Sequence, residues 1–288
     1  MRVLVMGASG MIGSAMFRVL SEQSDWTVFG TLRSADATRF FCVELANNLL
    51  TGVDVANPVE MTGIFSKVQP DVVVNCIGLT KHHKQSNDPL LAIPINALFP
   101  HQLSQLCAET GVRLIHVSTD CVFSGRKGSY TEQDESDAMD VYGKSKFLGE
   151  VSSAHSITLR TSTIGHELES QYGLLEWFLA KQERCQGYRN AIFSGLPNTV
   201  FAQLVRDVVI PRTDLTGLYH VGASPINKFD LLDLIANVYG KSIDIEPEEQ
   251  FMIDRSLNSE RFRLATGYLA PNWSELIKSM HAYQVSTK

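Results

Sequence analysis

Short apolar and β-branched runs alternate, over the first 160 positions, with longer segments in which apolar residues return every three or four places. RVLVMG leads into SAMFRVLSE, WTVFGTL follows, DVVVNCIG precedes NALFPHQLSQLCAET, RLIHVST precedes YGKSKFLGEV, and SITLRTS closes the series. Uninterrupted apolar runs are strands buried on both faces, and the amphipathic segments between them are the helices that cover those faces. The pattern predicts an α/β fold, a Rossmann-type doubly wound parallel sheet over residues 1–160. After Thr161 the rhythm loosens: helices are expected in GLLEWFLAKQ, FAQLVRDVV and FDLLDLIANVYG, and a strand in GLYHVG. Residues 161–288 are expected to form a smaller C-terminal substrate-binding lobe, with segments such as 196–224 returning to the first domain. Leu174, Trp177 and Phe178 share one helical face and are expected in the core or at a subunit contact.

Composition narrows the function. A formal charge of −6 argues against nucleic acid or an anionic membrane as a partner. The five cysteines, Cys42, Cys76, Cys107, Cys121 and Cys185, are odd in number and contain no CxxC, which suggests neither a disulfide framework nor a zinc site. The opening MRVLVMGASGMIG is too short and glycine-broken for a leader peptide, and no stretch approaches the roughly 18 apolar residues that span a bilayer. A soluble cytoplasmic protein is expected, with no metal and with a homodimer left open.

GASGMIG sets Gly7, Gly10 and Gly13, with Ser9, Met11 and Ile12, at the junction of the first strand and the first helix. Peptide N–H groups and the positive end of the helix dipole face outward there, and residues without a Cβ let a pyrophosphate approach the backbone. Enzymes that use NAD usually place an acid about 20 positions further on to hold the ribose. FGTLRS offers Arg33 instead, and a guanidinium suits a 2′-phosphate, so NADPH is preferred and NADH stays open. Asp54, followed by Val55, is read either as an adenine contact or as a helix N-cap. Cys76, Ile77 and Gly78, where the fourth strand ends, would pass close to the adenosine and phosphates.

The fifth strand ends at Thr119, and VYGKSK begins a helix that carries Tyr142 and Lys146 on one face. Reducing a ketone requires a proton for its oxygen. Tyr142 is a candidate donor, Lys146 a cation that would lower the phenol pKa and bind a ribose, and Thr119 a hydrogen bond that orients the carbonyl.

With these residues in view, the chain resembles the extended short-chain dehydrogenase/reductases, and within them the dTDP-4-dehydrorhamnose reductase family. The likeness rests on GASGMIG, VSTDCVFSGRKGSYTEQDESDAMDVYGKSKFLGE, LRTS, GLYHVGA and RSLNSERFR. It implies catalytic roles for Thr119, Tyr142 and Lys146, and it matches Asn75, Thr80, Lys84, Pro89 and Asn96 in the loop after the fourth strand; Thr80 and Asn96 join the cofactor candidates. The implied reaction is NAD(P)H-dependent reduction of a 4-keto-6-deoxy sugar nucleotide, used for surface polysaccharide. Substrate candidates are Lys81, Cys121, Val122, Phe123, Thr163, Arg255 and Arg261, with Arg263 a further phosphate candidate.

Two departures bear on the sugar. Cys121 stands where the family usually has tyrosine, and Thr163 where it has tryptophan; both are smaller and leave room for a bulkier sugar, such as an N-acetylated one on a UDP carrier. Two other readings stay open. One is a sugar-nucleotide epimerase or dehydratase, which would keep its cofactor. The other is a non-catalytic NADP-binding subunit like the regulatory subunit of methionine adenosyltransferase. His82 and His83 are read as part of a polar loop rather than a metal site, and TEQDESD as a solvated loop.

Overall fold

The computed structural model describes residues 1–81 and 84–286, so His82 and His83 lie outside the described residues. Seven parallel strands form the central sheet: β1 (Arg2–Met6), β2 (Thr27–Thr31), β3 (Leu49–Leu50), β4 (Val72–Asn75), β5 (Arg113–Thr119), β6 (Ser156–Thr161) and β7 (Gly217–His220), in the order β7-β6-β5-β4-β1-β2-β3. The order reverses between β1 and β4, where Met6 lies opposite Asn75. Chains leaving those two strands turn opposite ways and open a crevice beyond their carboxyl ends, where ligands bind in such sheets.

Alternate side chains of the strands feed two cores. Leu4, Met6, Val73 and Leu114 pack with Phe65 of helix α2 (Pro58–Val68) and Leu103 of α3 (Phe99–Thr110). Val3, Val5, Val74 and Ile115 pack on the other face with Phe17 of α1 (Met11–Ser21). Burial of both faces explains why the strands read as continuous apolar runs, and each fully buried side chain of this size contributes about 1.5–3 kcal/mol.

Local chemistry sets the helix ends. Asn57 caps α2, accepting from Val59 N–H, and Pro58 follows it. The N-cap reading of Asp54 is therefore corrected: its Oδ1 accepts from Ala56 N–H at 3.0 Å in a turn ahead of the helix. Upstream of α3, Pro89–Ala92 and the π-helical Ile93–Leu98 run directly into it. Pro94 and Pro100 each remove an amide donor from this stretch, and the wider turn between them accommodates the loss.

Helix α4 (Val141–Leu148) is capped by Asp140, and α5 (Asn198–Leu204) packs against α1. Helix α6 (Lys228–Tyr239) begins at the Asn227 cap and ends at Gly240 in the left-handed region, as FDLLDLIANVYG predicts; α7 (Trp273–Ser286) packs beside it. Phe178 and Leu175 are fully buried with Leu174 and Trp177 packed against the same core, so that helical face is core. No helix of the described residues is long and apolar enough to cross a membrane.

Candidate active site

The turn after β1 depends on its glycines in different ways. Gly7 has φ +82°, and a Cβ there would come 2.9 Å from Ile77 Cγ1, so this glycine lets the turns after β1 and β4 touch. A Cβ on Gly13 would stand 2.0 Å from the Gly7 carbonyl oxygen, which makes Gly13 the seat of α1 on the turn. Gly10 is the exposed N-cap of α1, with no side-chain cap and nothing closer to an ideal Cβ than 3.6 Å. Ser9 is exposed beside it, with Met11 and Ile12 half-buried. The result is a Cβ-free approach to the start of a helix, and these residues fit a dinucleotide pyrophosphate. Arg33 is exposed two residues past β2, Asp54 is exposed beyond β3, and Val55 is half-buried against the adjoining core.

The loop after β4 is held from below. Asn75 Oδ1 accepts from Ile77 N–H at 3.0 Å, while Asn96 Oδ1 accepts from Leu79 N–H at 2.8 Å and its Nδ2 donates to Ser145 Oγ at 3.1 Å. Asn96 thereby ties the loop to α4. A Cβ on Gly78 would lie 3.9 Å from Lys146 Nζ, which places that glycine over the ammonium. The Cys76 thiol is pushed up to about 12 by burial and stays protonated. Thr80 is exposed at the loop surface.

Thr119, Tyr142 and Lys146 converge. The Tyr142 phenol faces the Thr119 side chain, and Thr119 Oγ1 donates to Asp120 Oδ1 at 3.1 Å. Lys146 is buried, with Nζ donating to the Val117 carbonyl at 2.8 Å. Burial pulls this ammonium down to about 8, partly opposed by Glu150 and Cys76. The expectation that Lys146 lowers the phenol pKa does not describe this arrangement. Burial first, then Cys121, raise the Tyr142 phenol above its ordinary range, with Thr119 acting the other way. Such a phenol keeps its proton and suits an acid.

On the substrate side, Cys121 is buried, and two cations reach its sulfur: Lys81 Nζ at 3.7 Å and Arg255 Nη1 at 3.8 Å. Arg255 also donates from Nε to the Phe123 carbonyl at 2.8 Å. The other two arginines lie elsewhere, Arg261 exposed over the Tyr219 ring and Arg263 paired with Glu260. Val122 and Phe123 turn their side chains into an apolar cluster with Tyr130 and Leu257, so they shape the loop rather than line an opening. Thr163 is half-buried and begins a short strand paired with Leu196.

The reading of TEQDESD as merely solvated is also corrected. Glu132 accepts from His220 N–H, Asp134 holds Lys127 and Thr131, and Asp137 holds Ser124. Beneath this loop Arg160 forks onto Glu150 with two bonds of 2.7 Å, and Ser118 donates to the same carboxylate. This buried pair braces the carboxyl ends of β5 and β6. Sequence reading missed Glu150, Arg160 and also Lys228, the first residue of α6, whose ammonium is pulled below its ordinary range by burial first and then by Lys81. Only LRTS and GE, already quoted for the resemblance, marked the first two; nothing local marked the third.

Comparison with known proteins places this geometry among relatives. The family model described as RmlD substrate binding domain matches residues 1–282. The dTDP-4-dehydrorhamnose reductase of Salmonella typhimurium is 25% identical over 308 residues, covering 97% of each chain. Methionine adenosyltransferase 2 subunit beta of Xenopus laevis is 29% identical over 149 residues, 52% of this chain and 41% of that one. Among solved structures, the dTDP-4-dehydrorhamnose reductase of Bacillus anthracis in complex with NADP superposes with a TM-score of 0.78 at 19% identity, covering 98% of this chain and 99% of that one.

Proposed function

The chain belongs to the RmlD substrate binding domain family, and from that membership we propose that it uses NADPH to reduce the 4-keto group of a nucleotide-linked 4-keto-6-deoxysugar. One observation carries the reading: Thr119, Tyr142 and Lys146 meet at the carboxyl end of β5, which neighbours β4, the strand that faces the glycine turn of β1 across the switch point. The relatives named as dTDP-4-dehydrorhamnose reductases, matched end to end, support the same chemistry.

Gly7, Gly10 and Gly13 would hold the pyrophosphate, with Arg33 at the 2′-phosphate, Asp54 and Val55 by the adenine, and Cys76, Ile77 and Gly78 along the adenosine. Bound there, the reduced nicotinamide supplies the hydride. Tyr142, whose burial keeps it protonated, would give its proton to the ketone oxygen. Thr119 would donate to that oxygen and fix its direction, and Lys146 would hold the ribose. Residues 1–160, joined by β7, would serve the dinucleotide, and the later segments the sugar nucleotide.

The test is to mix the pure protein with NADPH and, separately, dTDP- and UDP-linked 4-keto-6-deoxysugars, following the reduced-nicotinamide absorbance. Steady consumption with one carrier is expected and identifies it. No consumption with either overturns the reading. The similarity to a methionine adenosyltransferase subunit supports a second reading, dinucleotide binding without turnover, which that second result would favour.

A further inference from the structure

The alternation that sends Val73 and Leu114 into one core puts Asn75 and His116 next along on the same face of the sheet, which is otherwise apolar. The two residues stand opposite each other in the register of β4 and β5, and both are fully buried. Polar side chains at the centre of a covered sheet are costly to desolvate unless they find partners there.

Those partners assign the hydrogens. Ile77 N–H can only donate, so the atom it meets at 3.0 Å is Asn75 Oδ1, and the amide nitrogen turns to His116. Nδ2 in its turn can only donate, so His116 Nδ1, 3.1 Å away, is bare and the hydrogen of the neutral ring sits on Nε2. Burial first, then Lys146 and His101, hold the imidazole well below its ordinary value, which keeps the ring neutral. Nε2 is buried and meets no acceptor among the described residues, so the tautomer is set from the Asn75 side alone.

The next contact leads to the glycine turn. A Cβ on Gly7 would strike Ile77 Cγ1 at 2.9 Å, so the place in which Asn75 holds Ile77 sets the gap between the turns after β1 and β4. The residue after His116 acts on the other side, since the Val117 carbonyl receives the Lys146 ammonium at 2.8 Å. Two successive residues of β5 thus fix the turn after β4 and the lysine of α4.

We propose that His116 is a positioning residue for the dinucleotide: its bare Nδ1 fixes the Asn75 amide, which holds Ile77 and keeps the turn after β4 in register with the Gly7 turn that receives the pyrophosphate. The inference rests on the functional reading above and adds to it a fully buried residue that acts only through Asn75.

Two variants of similar shape isolate the acceptor. His116→Asn keeps an oxygen where the ring has Nδ1, and His116→Leu puts a methyl group there; both lose the rest of the ring. In fluorescence titration with NADPH, His116→Leu is expected to bind about tenfold more weakly than wild type, and His116→Asn within about threefold of it. Equal affinity of all three proteins, or equal weakening of the two variants, would overturn the proposal. A second measurement needs no variant to fold: nitrogen-15 NMR spectra of the ligand-free wild type at pH 7 should show His116 as a neutral ring with Nδ1 bare, and a hydrogen on Nδ1 would also overturn it. Absence of NADPH binding by the wild type would defeat the functional reading and this inference with it, whereas binding with equal affinities defeats the inference alone.

Discussion

Asn96 reads the backbone of Leu79 with both ends of its amide, Oδ1 accepting from the N–H at 2.8 Å and Nδ2 donating to the carbonyl at 3.1 Å. Because Nδ2 also donates to Ser145 Oγ, one buried side chain joins the loop carrying Gly78 to the helix carrying Tyr142 and Lys146. Replacing it by alanine leaves a donor and an acceptor of Leu79 unpaired in a part-buried site, at about 1–3 kcal/mol for each group left buried. Asn96→Ala is expected to lower stability by about 2–4 kcal/mol in urea unfolding and to weaken NADPH binding, since the loop loses its position. Unchanged cofactor affinity would show that the loop is held from elsewhere.

The glycines separate folding from binding. An Ala Cβ at residue 13 would meet the Gly7 carbonyl at 2.0 Å, a backbone clash that cannot be relieved by a rotamer. Gly13→Ala should therefore cost about 1–3 kcal/mol of stability or more. At residue 10 the backbone is ordinary, φ −75° and ψ 163°, and the nearest atom is 3.6 Å away. Gly10→Ala should leave the melting temperature within a degree or two of wild type, while lowering NADPH affinity about tenfold by putting a methyl group where the pyrophosphate approaches. Fluorescence titration with NADPH checks it; equal affinities would place the pyrophosphate elsewhere.

Proton donation and charge can be tested apart. Tyr142→Phe removes the proposed acid and should lower kcat by about 10²–10⁴-fold with NADPH binding kept. For Lys146 the sign follows from its direction: burial has lowered the ammonium to about 8, so charge is present below that pH and lost as pH rises through it. Reduction should fall about tenfold per pH unit above 8, measured as kcat/KM, because the raised Tyr142 phenol still holds its proton there. A flat profile to pH 9.5 would mean that the charge of Lys146 plays no part.

How much of this was legible beforehand depends on the range of the interaction. The strand and helix rhythm, the Gly240 stop of α6 and the pairing of Tyr142 with Lys146 on one face are local, set by spacing within a few residues, and the sequence carries them openly. The meeting of Lys81, Cys121 and Arg255 is not local. It joins residues far apart in the chain, on loops whose approach follows from packing. The Tyr142 phenol shows the same limit, since burial, which spacing along the chain does not reveal, is the largest influence on it. Glu150 and Arg160 are ten positions apart, and only the fold buries them together as an ion pair.

The last expectation concerns acid stability and begins with His220. Its Nδ1 faces the Tyr130 carbonyl at 3.0 Å, which can only accept, so Nδ1 carries the hydrogen. Its Nε2 faces Arg160 Nη1 at 3.2 Å, which can only donate, so Nε2 is bare. The two partners fix a neutral ring, and a second proton would point at a guanidinium. Burial first, then Arg160, lower the imidazole to about 3 against an unperturbed 6.5, although the Tyr130 carbonyl opposes them. Between those values the unfolded chain binds more protons than the folded one, so stability rises with pH across that window and is lost as pH falls from 6.5 toward 3. At pH 4.5 the loss from this group is about 2–3 kcal/mol. His220→Gln keeps a polar side chain that does not titrate. It should be less stable than wild type at pH 7, yet lose about 2 kcal/mol less between pH 7 and 4.5 in urea unfolding. Parallel curves for the two proteins would mean that the acid sensitivity comes from other groups.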